Sequence, residues 1–235
     1  MKIKHIFFDL DHTLWDFEKN SKISLEELFQ EYLIDYRINF KIFYKVYKKI
    51  NNDLWDKYRK GEISKNFLRD SRFEKVLNFF SIYDKSLSFK LANFYVKNTP
   101  KKKYVFPNCH NVLDNLYEKY NLHIITNGFE EVQYTKLKNS NLMKYFDKII
   151  TSESAGYLKP DRRIFDYALN LLGIDVKECI MIGDNPHIDC LSAESIGIRS
   201  ILFTPSKIKF NDYNKSEIKK IKYKISDLNE LLKIL

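Results

Sequence analysis

Short apolar runs recur along the chain at intervals that match strands separated by helices. Residues 3–8 form the first run, which is apolar and aromatic and ends at Asp9. Similar runs come much later, at Leu122–Thr126, Lys148–Thr151, Cys179–Ile182 and Ser200–Phe203. Strands that are buried on both faces of a parallel sheet are almost entirely apolar, so the pattern predicts such a sheet.

Segments with apolar residues at helical spacing lie between these runs. We expect helices at about 109–120, 130–140, 161–172, 187–196 and 227–234. Gly173 and Gly197 follow two of these segments, and glycine is the residue that most often ends a helix. Strands that alternate with helices of this length are typical of βαβ units, which predicts an α/β fold with a Rossmann-like parallel sheet.

Residues 16–99 interrupt this alternation of strands and helices. The stretch contains Gly61 as its single glycine and no proline, and its apolar residues recur at helical spacing. We therefore expect a domain of four helices, inserted as a cap after the first strand. Residues 1–15 and 100–235 would then form the core domain.

The composition is that of a folded protein with a sizeable core. Of the 235 residues, 44% are hydrophobic and 15% are aromatic, which argues against disorder. No apolar run approaches the roughly 18 residues of a membrane span, and Asp9 and Asp11 come too early for a signal peptide. The three cysteines include no CxxC pair, which argues against a zinc site or a disulfide framework. We expect a cytoplasmic protein with no membrane partner.

The net charge of +9 admits two interpretations. A basic chain can bind nucleic acid. However, only seven of the 40 basic residues are arginine, and the chain is also rich in Asn, Ile, Tyr and Phe, which indicates a compositional bias that raises lysine everywhere. We therefore expect no nucleic-acid polymer as a partner, although a positive field would still attract a small anionic substrate.

Two acidic residues follow the first predicted strand, in the sequence Asp9-Leu10-Asp11-His12-Thr13. Ligands of open parallel sheets bind beyond the carboxyl ends of the strands, where Asp9 would lie. Strand alternation would point Asp9 and Asp11 in the same direction, and two close carboxylates favour a bound cation or a shared proton. For this segment alone, an acidic loop that only caps the strand is an equally consistent interpretation.

Two further segments carry groups suited to a phosphate. Thr126, Asn127 and Gly128 end a predicted strand and precede a helix, where free amides and a hydroxyl can cradle a phosphate. An ordinary helix N-cap has the same composition. Lys159 precedes Pro160 at the start of another helix and could present a cation to the phosphate, although most lysines are simply solvated.

A third acidic segment follows the strand predicted at 179–182. Asp184 is expected in the same crevice as Asp9, where it would be a metal ligand. Asp189 would lie in the first turn or so of the next helix. There it could support the metal ligands or interact with the helix dipole.

The four segments together supply a nucleophile, a metal site, a hydroxyl and a cation, which are the groups used for phosphoryl transfer. In their order and placement the sequence resembles the haloacid dehalogenase-like (HAD) superfamily over its whole length, including a helical cap after the first motif. Residues 54–73 and 125–169 resemble more closely the branch that contains bacterial pyrimidine 5′-nucleotidases. Asn185 and Arg162 stand where that branch commonly has Ser and Pro, but neither change removes a catalytic group.

The resemblance implies a role for each acidic residue. Asp9 would be the nucleophile and would form an aspartyl-phosphate. Asp11 would protonate the leaving oxygen and then deprotonate the attacking water. The Asp9 carboxylate, the Asp11 backbone carbonyl and Asp184 would hold Mg²⁺, with Asp189 supporting these ligands from outside.

The resemblance also implies how the substrate is bound. Thr126, the Asn127 amide and Lys159 would bind the phosphoryl oxygens, and Lys159 would offset the charge of the nucleophile. The cap would close over the site, exclude water and select the leaving group. Arg69 and Arg72, one helical turn apart, are the candidates for that selection, although surface ion pairs are an equal interpretation of them.

The sequence therefore predicts a Mg²⁺-dependent phosphatase of small phosphomonoesters, and a nucleoside 5′-monophosphate phosphatase in particular. Sugar-phosphate phosphatases and phosphomutases share the nucleophile and the acid/base residue, so they remain alternatives. An inactive binding or regulatory protein on the same fold is a further alternative. A haloacid dehalogenase lacks the second acid, so Asp11 argues against that activity. We expect a monomer or a homodimer.

Overall fold

The computed structural model describes residues 2–205 and 215–235, and the chain divides into two compact units. One unit comprises Met1–Phe17 and Lys103–Leu235, and the other comprises Glu18–Lys102. The second unit is thus inserted into the first along the chain. Each unit has a hydrophobic core of its own.

A six-stranded parallel sheet forms the centre of the first unit. Its strands are β1 (His5–Phe8), β2 (Asn121–Thr126), β3 (Lys148–Thr151), β4 (Cys179–Gly183), β5 (Arg199–Phe203) and β6 (Tyr223–Ile225). In space their order is β3-β2-β1-β4-β5-β6, and every neighbouring pair is parallel. The direction of winding reverses at β1, which is where parallel sheets form a ligand-binding crevice.

Both faces of the sheet are buried, which explains why the strands are apolar throughout. Phe8 and Ile124 lie in the core on one face, while Phe7 and Ile125 lie in the core on the other. Neighbouring residues of a strand point to opposite faces, so each strand needs apolar residues in succession. The predicted α/β parallel sheet is confirmed.

Four helices make up most of the second unit, every residue of which the structure describes. They are α1 (Phe17–Tyr32), α2 (Phe40–Arg59), α3 (Lys65–Phe79) and α4 (Lys85–Asn98). Asn39, Ser64 and Asp84 start the last three, since each side chain accepts hydrogen bonds from N–H groups of the first turn. The helical insertion expected after the first strand is confirmed.

Arg72 of α3 lies inside the helical unit and is 6% exposed. Its Nη1 donates to the Tyr47 hydroxyl at 3.2 Å, and its guanidinium carbon lies 5.3 Å from the centre of the Tyr95 ring. A surface ion pair is therefore the wrong interpretation of Arg72, because α3 turns this position into the bundle. Arg69 is more exposed, and its Nη2 donates to the Asn93 amide oxygen at 3.4 Å.

The described part of the first unit contains seven α-helices, of which the first six lie between strands in the sequence and the last follows β6. They are α5 (Cys109–Tyr117), α6 (Glu130–Asn139), α7 (Ser152–Ala155), α8 (Arg163–Leu172), α9 (Ser192–Glu194), α10 (Lys215–Lys220) and α11 (Leu231–Ile234). A π-helical turn, Pro186–Leu191, replaces the start of the single helix expected at 187–196. Among the residues that the structure describes, no helix is long and apolar enough to cross a membrane.

Candidate functional site

Three strand ends bring polar residues to one edge of the sheet. Asp9 follows β1, Thr126 ends β2 and Asp184 follows β4, and β1 lies between the other two strands. The Asp9 N–H continues the pairing of β1 with β4, since it donates to the Ile182 carbonyl at 2.9 Å. These residues therefore lie at the crevice where the direction of winding reverses.

Three carboxylates form a compact cluster in this crevice. Oxygen atoms of Asp9, Asp184 and Asp189 all lie within 4.8 Å of one another. Asp9 and Asp189 are buried, and the buried hydroxyl of Thr13 donates to Asp184 at 3.3 Å. Carboxylates this close repel each other unless a cation lies among them, so the cluster is suited to a divalent metal ion.

Asp189 reaches this cluster because of the local geometry after β4. It belongs to the π-helical turn Pro186–Leu191, which Asn185 caps by accepting hydrogen bonds from two backbone N–H groups. A Cβ atom on Gly183 would lie 2.4 Å from the Asp189 carboxylate. Gly183 is therefore required by the close approach of Asp189.

Lys159 supplies the cation that faces two of these acids. Its side chain is 1% exposed, and its Nζ donates to Asp9 Oδ1 at 2.7 Å and to Asp189 Oδ1 at 2.6 Å. Lys159 Nζ also donates to the Ile125 carbonyl oxygen at 2.8 Å. All three hydrogen atoms of the ammonium group are thus engaged, and Lys159 is fixed against the predicted nucleophile.

The Asn127 side chain holds the backbone of Lys159. Its Oδ1 accepts from the Lys159 N–H at 2.8 Å, and its Nδ2 donates to the Lys159 carbonyl at 2.8 Å. This pair of hydrogen bonds joins the end of β2 to the segment that carries Lys159. The sequence indicated only the backbone amide of Asn127, so this contact of its side chain is an addition.

Burial and mutual repulsion change the proton affinity of the clustered groups. Burial raises the pKa of Asp9 to about 7, against the opposing effect of Lys159. Burial, followed by the charges of Asp189 and Asp9, raises the pKa of Asp184 well above its usual range. Burial alone would lower the pKa of Lys159, but the charges of Asp189 and Asp9 outweigh that effect and raise it.

Asp9 and Asp184 are the members of the cluster best placed to hold a metal ion. Both oxygens of Asp189 already accept hydrogen bonds, one from Lys159 at 2.6 Å and one from the Asn185 N–H at 3.0 Å. Burial and the neighbouring carboxylates raise the pKa values of Asp9 and Asp184, and a cation bound at these oxygens would favour their charged forms. A hard divalent cation, which prefers oxygen ligands, fits this donor set.

The environment of Asp11 differs from the one that strand alternation implies. β1 ends at Phe8, and residues 10–15 form a turn in which the N–H groups of Leu14 and Trp15 donate to the Leu10 carbonyl. Alternation does not continue through a turn, so it does not by itself set the direction of the Asp11 side chain. Asp11 still lies close enough for its charge to act on Asp9. The Asp11 carboxylate instead accepts from Lys136 Nζ, at 2.6 Å to each oxygen.

Gln133 connects Asp11 to Thr126. Its Nε2 donates to Asp11 Oδ2 at 2.9 Å and to Thr126 Oγ1 at 3.0 Å. Thr126 Oγ1 also accepts from the Gly128 N–H at 3.1 Å. With two donors directed at this oxygen, the hydroxyl hydrogen of Thr126 remains for donation to another acceptor, as phosphate binding requires.

Gln133 and Lys136 are site residues that the sequence interpretation missed, and Thr13 was quoted without a role. Gln133 and Lys136 are buried together with Leu137, on one face of α6. Their spacing of three and four residues is that of a buried helical face. A glutamine and a lysine at positions where apolar residues are expected were the available signal.

Comparison with known proteins finds relatives that match along most of the chain. The family model described as haloacid dehalogenase-like hydrolase matches residues 6–203. A pyrimidine 5′-nucleotidase of Escherichia coli, YjjG, is 30% identical over 200 residues, which cover 84% of this chain and 84% of that protein. A pyrimidine 5′-nucleotidase of Streptococcus pneumoniae, PynA, is 29% identical over 211 residues, covering 89% and 87% respectively.

A solved structure has the same fold along the whole chain. The protein YfnB of Bacillus subtilis, solved with magnesium bound, superposes with a TM-score of 0.88 at 24% identity, covering 100% of this chain and 99% of that one. At this identity the likeness concerns the fold alone.

Proposed function

Because this chain belongs to the haloacid dehalogenase-like hydrolase family, we propose that it is a Mg²⁺-dependent phosphomonoesterase acting on pyrimidine nucleoside 5′-monophosphates. One observation supports the chemistry above all others. Asp9 lies at the sheet crevice with Lys159 Nζ 2.7 Å from one of its oxygens and with the Asp184 carboxylate in the same cluster. An anionic nucleophile beside a fixed cation and a metal site is suited to attack on a phosphate.

In the first step, an Asp9 carboxylate oxygen forms a bond to phosphorus and the ester oxygen of the substrate leaves. In the substrate complex Asp11 carries a proton taken up from solvent, which it gives to that leaving oxygen so that the alcohol departs neutral. Lys159 offsets the negative charge that accumulates as Asp9 approaches the phosphoryl group. The product of this step is an aspartyl-phosphate on Asp9.

In the second step, a water molecule attacks the same phosphorus atom and the bond to Asp9 breaks. Asp11 takes the proton of the water, which restores its starting state. Asp9 is regenerated as a carboxylate and inorganic phosphate is released. Dividing the hydrolysis into two displacements at one residue lowers the barrier of each.

The remaining site residues bind the phosphoryl group and the metal ion. Asp9, Asp184 and the backbone carbonyl of Asp11 would hold Mg²⁺, which would supply positive charge that offsets the repulsion of nucleophile and phosphate. Thr126 would donate its hydroxyl hydrogen to a phosphoryl oxygen, and the Asn127 N–H would donate to another. Asp189 would keep Lys159 in place.

The substrate class rests on the relatives and on the helical unit. Two relatives that match along most of this chain are named pyrimidine 5′-nucleotidases. Arg69 stays the first candidate for selecting the leaving group, since Tyr47 and Tyr95 already engage Arg72. The three buried, free cysteines support a cytoplasmic location, where thiols stay reduced.

A phosphate-release screen over nucleotides and sugar phosphates, with and without Mg²⁺, tests the proposal. We expect uridine and thymidine 5′-monophosphates to have a higher kcat/KM than purine nucleotides, by roughly 10–200-fold, since excluding a larger ring contributes about 1–3 kcal/mol. Asp9→Asn serves as the inactive control.

This screen tests the substrate class and the phosphatase chemistry independently of each other. Sugar phosphates that outrank every pyrimidine nucleotide would refute the substrate class but not the chemistry. Absence of phosphate release from every phosphomonoester, with Mg²⁺ present, would refute the phosphatase activity itself.

A further inference from the structure

Lys136 is a buried lysine that forms an ion pair with Asp11. Its side chain is 5% exposed, and its Nζ lies 2.6 Å from each Asp11 oxygen. The ammonium group also lies 4.6 Å from the centre of the Trp15 ring and 5.8 Å from that of Phe17. A buried lysine is costly unless it is paired, and both the carboxylate and the aromatic faces stabilise it here.

Gln133 fixes the same carboxylate from a second direction. The two hydrogen atoms of its amide are divided between Asp11 and Thr126, at 2.9 Å and 3.0 Å. The side chain passes directly over Gly128, where a Cβ atom would lie 1.5 Å from Gln133 Nε2. The amide oxygen has no hydrogen-bond partner among the residues that the structure describes, so the side chain is held through its nitrogen alone.

We propose that Lys136 and Gln133 are positioning residues, which set the orientation of the Asp11 carboxyl group relative to the hydroxyl of Thr126. This inference rests on the proposed function, because it assigns a task to the residues around its acid/base group. Neither residue touches the reacting atoms in this assignment. They act through Asp11, and Gln133 ties the acid/base group to the hydroxyl that binds phosphate.

The need for positioning follows from the turn in which Asp11 lies. Residues 10–15 lie outside β1, in a turn whose backbone is held by hydrogen bonds and isolated β-bridges, so the orientation of the Asp11 carboxyl group is set by its side-chain contacts and not by strand alternation. Proton transfer requires the donor oxygen within hydrogen-bond reach of the leaving oxygen. The bonds from α6 limit the carboxyl group to one position without using Asp9, Lys159 or Asp184.

Leaving-group dependence distinguishes positioning of Asp11 from other roles of Lys136. A substrate with a poor leaving group, such as an alkyl phosphate, needs the proton of Asp11, whereas an aryl phosphate with a good leaving group needs it little. Lys136→Met should therefore lower kcat for the alkyl phosphate by roughly 10–100-fold, a part of the contribution of a general acid. For the aryl phosphate the loss should be severalfold at most, and KM should change little for either.

Two further variants complete the experiment. Lys138→Met removes one lysine from the same helix at an exposed position and should leave both substrates unaffected. Lys136→Arg keeps the charge and should retain more alkyl-phosphate activity than Lys136→Met. If Lys136→Met does not fold, as judged by circular dichroism, Gln133→Leu weakens the hold on Asp11 without removing a charge and should show the same leaving-group dependence.

Equal losses of kcat for the two substrates would overturn the inference, because they indicate a purely structural role. An increase of KM for both substrates would also overturn it, since Lys136 would then bind the phosphoryl group itself. In both cases the wild-type protein still hydrolyses phosphomonoesters and the proposed function stands. A wild-type protein that hydrolyses neither substrate removes the proposed function, and this inference with it.

Discussion

Lys159 is the cation that balances the charges of Asp9 and Asp189 in the crevice. It is 1% exposed and pairs with both Asp9 and Asp189. Removing one partner of a buried ion pair leaves the other charges without compensation, which is more costly than replacing the whole group. The effect of Lys159 on stability can be measured by unfolding, independently of the role proposed for it in catalysis.

Lys159→Met should lower the free energy of unfolding by about 3–5 kcal/mol, because it leaves Asp9 and Asp189 buried and unpaired. Urea unfolding at neutral pH measures this change, with Lys138→Met as the exposed control. The double variant Lys159→Met with Asp189→Asn should recover part of the loss, since it also removes one unpaired charge. A single variant as stable as the wild type would contradict the ion-pair network.

Gly183 is required because a side chain at this position would collide with Asp189, and not because of its backbone conformation. Gly183→Ala would place Cβ 2.4 Å from the Asp189 carboxylate, so Asp189 or the strand must move. We expect a loss of about 1–3 kcal/mol in unfolding free energy, as for other overpacked positions, together with a loss of activity as Asp189 moves away from Lys159. Unchanged stability and unchanged turnover would show that the close approach is wrong.

The positions of the site residues could be predicted from the sequence, but several of their contacts could not. Asp9, Thr126 and Asp184 were found because parallel strands deliver residues to one edge. The partners of Asp11 were missed because residues 10–15 form a turn, to which strand alternation does not apply. Lys136 and Gln133 were missed because a lysine and a glutamine on a helix are normally solvated.

Among the secondary-structure elements, β1 and β2 carry a pair of histidines through which we expect stability to depend on pH. His5 Nδ1 and His123 Nε2 lie 3.1 Å apart, with their rings stacked at 5.4 Å. His123 is 1% exposed. Burial, and after it the charge of His5, lowers the pKa of His123 from 6.5 to about 4.

The sign of the effect follows from which state binds the proton. Between pH 6.5 and about 4, the unfolded chain protonates this histidine and the folded chain does not, so stability falls as the pH falls. This shift in the pKa of His123 corresponds to a loss of at most about 3 kcal/mol in the free energy of unfolding. His123→Leu should therefore show a smaller loss of unfolding free energy over this range, as measured by urea unfolding at several pH values.

His187→Gln is the control for this series, because His187 is an exposed histidine on the same unit. It should keep the wild-type dependence on pH. A His123→Leu protein with the same acid dependence as the wild type would show that His123 does not contribute to it.

The strands could be predicted where both of their faces are buried, but the strand at the edge of the sheet could not. β1 to β5 lie within two residues of the apolar runs, because both faces of the sheet demand apolar side chains. β6 was missed because Tyr223 and Lys224 are exposed and form no apolar run. The π-helical turn Pro186–Leu191 was missed because its side-chain pattern does not differ from that of an α-helix.

For the protein as a whole, a bound cation should stabilise the fold as well as support turnover. Mg²⁺ would relieve the repulsion among the clustered carboxylates, so it should raise Tm, and a ligand at 100 times its Kd stabilises by about 2.7 kcal/mol. Thermal unfolding with Mg²⁺ and with EDTA measures this shift. Asp184→Asn should reduce the shift, and activity lost in EDTA should return with Mg²⁺.

A shift that is the same in wild type and Asp184→Asn would show that the cation binds elsewhere. Activity that survives exhaustive chelation would favour hydrolase chemistry without a metal, and would contradict the assignment of Asp9 and Asp184 as ligands.

Formation of a phosphorylated Asp9 is the central event of the proposed function. Rapid quenching of the protein in acid during turnover of a pyrimidine nucleotide, followed by peptide mass spectrometry, detects it, since an acyl phosphate survives acid and is cleaved by hydroxylamine. We expect one phosphoryl group on the peptide that contains Asp9, removed by hydroxylamine and absent from Asp9→Asn. Rapid turnover with no phosphorylated peptide, or a phosphoryl group on another residue, would contradict the assignment of Asp9 as the nucleophile.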